Sequence, residues 1–113
     1  MNGNIDEWLD ITAGNTVTVT GWIDFEATDP DSVEVWVGIG QGDKKNATAV
    51  YGEGRVQVDR PAPTAGKRTS WQCPAQIENG AGGFKNGAAD AGAVVIDDAV
   101  EPYPWGRQVK LKN

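Results

Sequence analysis

The chain has no histidine, and only one cysteine and one methionine among its 113 residues. Without histidine the commonest general base at neutral pH is missing, and with it the usual serine triad and most zinc sites. A single cysteine excludes an intramolecular disulfide, and no cysteine–histidine dyad can form. No run of 18 apolar residues occurs, so nothing reads as a membrane-spanning helix and no membrane insertion is expected. The opening MNGNIDEWLD has no basic segment followed by an apolar run, and so does not read as a secretory signal peptide. Basic residues are outnumbered: 10 Lys and Arg against 16 Asp and Glu leave a net charge of −6. Sequence-independent contact with nucleic-acid phosphates needs a basic surface, so nucleic acid is not an expected partner.

What is abundant is glycine, with 15 residues, alongside many Val and Thr. That balance favours an all-β fold with many turns. Residues 15–26, 32–40, 47–58, 67–77, 88–96 and 103–112 alternate apolar and polar positions with period two. Turn-rich pieces separate them: TDPDS, GQGDKKN, DRPAPTAGK, ENGAGGFKNG and DDAVEP. The glycine cluster Gly38-Ile39-Gly40-Gln41-Gly42 opens no helix and follows no βαβ pattern, so it is assigned to turns rather than to a nucleotide cradle. Pro74 places the fourth run at a sheet edge or beside a bulge. On the apolar parities, Trp71 and Trp105 are expected in the core with Val19, Ile23, Val35, Val37, Val56, Ala91, Ala93, Val95, Val109 and Leu111. Cys73 shares the parity of Trp71 and is expected as a buried thiol.

The succession VTVTG, SVEVWVGIG and SWQCPAQI, closing with FKNGAADAGAVVIDDAVEPYPWGRQVKL, resembles immunoglobulin-like β-sandwich modules. Such modules occur on archaeal and bacterial surface proteins and on the virions of tailed viruses. The resemblance implies a single immunoglobulin-like β-sandwich of about seven antiparallel strands over residues 15–113, with residues 1–14 as an N-terminal arm or edge strand. The paired cysteines of antibody domains are absent, so antigen-receptor function does not carry over.

Two positions break the inside-outside pattern. Val19, Gly21, Ile23 and Phe25 alternate with Thr20, Trp22, Asp24 and Glu26, while Val33, Val35, Val37 and Ile39 alternate with Glu34, Trp36 and Gly38. A hairpin pairing these two runs would set Asp24 against Glu34, a like-charge pair that weakens a ladder. Opposite sheets of a sandwich avoid it and leave Trp22 and Trp36 on the outer faces. There they are candidate contact anchors, because Trp is enriched where partners bind most strongly. Trp8, in the arm, is a third. The competing reading covers each ring with a loop, the arm or neighbouring long side chains.

Carboxylates are the remaining chemical candidates. Asp24, Asp29, Asp31 and Glu34, with Glu26 nearby, are candidate Ca²⁺ ligands, although no EF-hand spacing is present and a Pro-containing turn explains DPDS by itself. Asp97, Asp98 and Glu101 form a second acidic corner, and Asn46-Ala47-Thr48 is an N-x-Thr acceptor sequence. Beyond Ca²⁺ at Asp24, Asp29, Asp31 and Glu34 no cofactor is expected, and no enzyme is expected either. With the resemblance, these features point to a non-enzymatic structural subunit of a tailed virus, such as a capsid decoration, turret, fibre or tail accessory protein. A halophilic archaeal host would suit the acidic surface. The setting would be the virion surface or otherwise extracellular, and the partners other virion subunits or further copies of the chain. The alternative is a cell-surface adhesion or carbohydrate-binding module whose exposed aromatics stack on sugar rings.

Overall fold

Each of the six alternating runs forms a strand, because alternation at period two gives a sheet one apolar face to bury. The structure is a computed structural model and describes residues 2–12, 16–42, 50–62, 66–79, 83–96 and 105–113. Strands β1 (Asn2–Ile5) and β2 (Trp8–Thr12) precede β3 (Thr16–Asp24), β4 (Ser32–Gln41), β5 (Val50–Asp59), β6 (Arg68–Asn79), β7 (Gly87–Ile96) and β8 (Trp105–Lys112). The Asn46 acceptor sequence and the Asp97, Asp98 and Glu101 corner lie outside the described residues.

These strands form one closed sheet, and the expected two-sheet immunoglobulin-like sandwich is wrong. One side of β3 pairs with β6, from Thr16↔Gln76 to Asp24↔Arg68. Its other side pairs with β1 over Gly21–Asp24 and with β2 over Thr16–Thr18. β1 and β2 are thus two halves of one bent strand, interrupted at Asp6 and Glu7, where Asp6 N donates to Thr20 O at 2.8 Å. β2 then pairs parallel with β8, and β7, β4, β5 and β6 follow in order back to β3. Counting β1 and β2 once, seven strands close a barrel. Closure comes from the segment read as an arm: it bonds on both sides, to β3 and to β8, where a sandwich would keep free edges.

The inward parities fill the barrel. Trp71, Cys73, Val19, Ile23, Val35, Val37, Ala91, Ala93, Val95, Val109 and Leu111 are buried, and Val56 and Trp105 are partly buried against them. Ile5, Leu9, Ile11, Phe25 and Phe84 complete this core. Large rings fit because small residues oppose them. A Cβ at Gly21 would lie 2.7 Å from the Trp71 ring, and one at Gly3 would lie 2.4 Å from that of Trp105. Pro74 faces β3 at Thr18. The ladder between β6 and β5 is short, running from Tyr51↔Asn79 to Glu53↔Gln76 with a register shift between Tyr51 and Gly52, and it ends before Pro74. A residue without an N–H is tolerated where the ladder stops.

Burial pushes the Cys73 thiol up to about 11. The thiolate is the nucleophile, so native protein at pH 8 should resist a maleimide and react only when unfolded. Labelling of the native chain at the rate of a free thiol would place Cys73 at the surface.

Candidate functional site

The three outward tryptophans all meet a cation from a neighbouring strand. The Arg68 guanidinium stacks 3.8 Å from the centre of the half-buried Trp22 ring. Arg68 also forms a two-pronged pair with Asp24, Nε to Oδ1 at 2.7 Å and Nη2 to Oδ2 at 3.0 Å. The hydrogen bonds from Arg68 hold the Asp24 carboxyl below the usual carboxylate range. Lys110 lies 5.2 Å from the Trp8 ring, directly across the β2–β8 ladder. Arg55 lies 5.9 Å from the Trp36 ring, directly across the β4–β5 ladder. The barrel does not gather the three rings. Trp8 and Trp22 belong to adjoining strands on one wall, whereas Trp36 lies on β4, three strands from β3 by way of β6 and β5.

The acidic corner is likewise divided. Arg60 reaches across it, with Nη2 2.7 Å from Asp31 Oδ1 and Nη1 3.1 Å from the Ala27 carbonyl oxygen. Asp29 Oδ2 accepts the Glu26 N–H at 2.7 Å, closing the turn. Glu34 accepts the indole N–H of Trp36, and Asp24 is held by Arg68. Asp24, Asp29, Asp31 and Glu34 therefore have separate partners, and among the described residues no three His, Cys, Asp or Glu side chains converge where a metal would sit.

A groove of about 1000 Å³ opens around Trp36, on the outer face of β5, β4, β7 and β8. Its floor is one rung of the sheet, Glu53↔Gly38↔Gly92↔Gly106, in which three consecutive positions carry no side chain. The next outward rung on one side holds Arg55, Trp36 and Val94. On the other side are Tyr51, Gly40 and Asp90. Trp36 is 46% exposed and Tyr51 41%. Their rungs are four residues apart, roughly 13 Å of strand. Tyr51 leans over the floor, since its hydroxyl would lie 2.8 Å from a Cβ at Gly38. The hydrogen bond to Glu34 fixes the Trp36 indole at the opposite wall. Glu53, Arg55 and Asp90 supply exposed polar groups at the rim.

Glycines 38 and 40 lie within β4, not in a turn as the sequence suggested. Glycine inside a strand costs roughly 0.5–1 kcal/mol relative to alanine, and often marks a close approach of a ligand or another backbone. Of the residues expected to make contacts, only Trp36 lines this groove. Tyr51 was missed, although its outward parity beside Glu53 and Arg55 was a usable signal. The floor left no such signal, because its glycines come from three strands that only the register aligns.

The chain matches no protein-family model, no curated protein and no solved structure.

Proposed function

We propose that this chain is a non-enzymatic interaction module that engages its partner through the groove between Trp36 and Tyr51. The observation that carries this reading is the pairing of two large exposed rings with a floor whose facing Gly92 and Gly106 carry no side chain, a concave surface with aromatic walls and a few polar groups at its rim. Absence of histidine supports the non-enzymatic part. The test is ¹H–¹⁵N correlation spectroscopy of the labelled protein against protein and polysaccharide fractions from the organism that makes it. The Trp36 indole and the Gly92 and Gly106 amides should shift, with Trp22 unmoved. Shifts confined to another wall would refute the assignment.

A second reading is favoured by Trp8, which is 54% exposed on a different wall. Here the chain is an assembly subunit that packs on protein neighbours or on itself through Trp8 and Trp36, the virion subunit anticipated from the sequence being one form. The immunoglobulin-like resemblance no longer supports that form, because the barrel does not share the fold. Sedimentation equilibrium separates the two readings: self-association weakened by Trp8→Thr favours assembly, and a monomer at all concentrations counts against self-packing.

A further inference from the structure

Gly38 lies under the Tyr51 hydroxyl, 2.8 Å from where its Cβ would be, and six other strand glycines fall into two groups. Gly3, Gly21, Gly52 and Gly54 are glycines for reasons inside the barrel, because a Cβ at each would meet a ring or a backbone oxygen at 3.0 Å or less. Gly92 and Gly106 have no such reason. Among the described residues, the nearest atoms to a Cβ there are the Trp105 and Ala91 carbonyl oxygens at 3.8 and 3.7 Å, ordinary contact distances. Neither has positive φ, which among the described residues belongs to Gly66, Gly83 and Gly87. Two neighbouring strands thus forgo a side chain at facing positions that would hold one. What they gain is a flat floor beside Trp36.

We infer that this floor seats a pyranose ring, and that the groove binds a chain of neutral sugars. The inference rests on the groove being the binding surface. A sugar ring has an apolar C–H face suited to an indole and a rim of hydroxyls that both donate and accept. Glu53 and Asp90 offer acceptors and Arg55 offers donors around the floor. Other ligand chemistries fit less well. An anionic chain would meet two carboxylates on a protein of net charge −6. An extended peptide cannot add as a strand across the floor, because β5, β4 and β7 are each paired on both sides there. A proline-rich peptide with basic residues would bring its cation to a Trp36 ring already faced by Arg55 at 5.9 Å. A helix needs holes between side chains, and this floor has none.

The test is electrophoresis of the folded chain through native gels containing a neutral β-glucan, α-glucan, mannan or galactan, with a polymer-free gel as reference. At least one polysaccharide should retard the protein. Trp36→Ala and Gly92→Val should each weaken that retardation roughly tenfold or more, while Trp22→Thr leaves it unchanged. Gly106→Ala, a smaller addition on the same floor, serves if Gly92→Val fails to fold. No retardation in any of the four gels overturns the inference, as does retardation that survives the floor variants. Titration with a proline-rich peptide, followed by the Trp36 indole resonance, separates the failures. If the peptide moves that resonance and no glycan does, the sugar assignment falls and the groove stands. If neither glycans, peptide nor cell fractions move it, the groove reading falls as well. Shortening of the polysaccharide during the run would overturn the non-enzymatic reading.

Discussion

Replacing Trp71 with alanine is expected to destabilise the barrel by about 3–5 kcal/mol. The ring is only 5% exposed and fills the interior above Gly21. Its neighbour has no side chain to move into the space, so the cavity would persist rather than collapse, and residual cavity volume sets the size of such losses. No hydrogen bond among the described residues is lost with the ring, because the buried Trp71 indole N–H has no partner among them. The loss is therefore one of packing, and Trp71→Phe, which also removes the unsatisfied donor, should cost clearly less. Equilibrium unfolding in urea measures both. An unchanged midpoint for Trp71→Ala would show that the ring is not part of the core.

The second large effect is expected at a position where alanine would ordinarily help. In a strand alanine is favoured over glycine, yet Gly54→Ala should destabilise by about 1–3 kcal/mol. A Cβ at Gly54 would lie 2.2 Å from the Pro74 carbonyl oxygen and 3.0 Å from Cys73 Sγ. The nearer obstacle is backbone and cannot swing aside, so β5 and β6 must separate where their ladder has already ended. Gly106→Ala is the control: among the described residues its Cβ meets nothing closer than 3.7 Å, so its midpoint should hold or rise. Equal losses in the two variants would mean that glycine serves curvature at both positions rather than close approach at one.

The strands and their inward faces were legible in the sequence, while the way the sheet closes was not. Alternation states which side chains point inward, as at Val33, Val35, Val37 and Ile39, but an inward face is the same in a sandwich and a barrel. The deciding residues were Trp8–Asp10, whose parallel pairing to Lys110–Lys112 of β8 joins segments about a hundred residues apart and leaves no local sign. Trp22 and Trp36 were legible as outward residues. Their partners Arg68 and Arg55 were not, since a cation across a ladder becomes visible only with the register. The groove was hidden for the same reason: Gly38, Gly92 and Gly106 are unremarkable apart and form a surface only when β4, β7 and β8 align them.

The joining of β2 to β8 also bears on how the chain reaches its folded state. Trp8↔Lys110 and Asp10↔Lys112 are contacts between the two extremes of the sequence, and they complete the ring. Closing a loop of that length is entropically expensive before any neighbouring pair can reward it, so folding should be slow for a domain of this size. On a ribosome the nascent chain must wait until β8 has emerged before its barrel can shut. Until then β2 and β7 present bare edges, open to strand exchange with a neighbouring nascent chain, and docking of β8 between them is the step that ends that exposure.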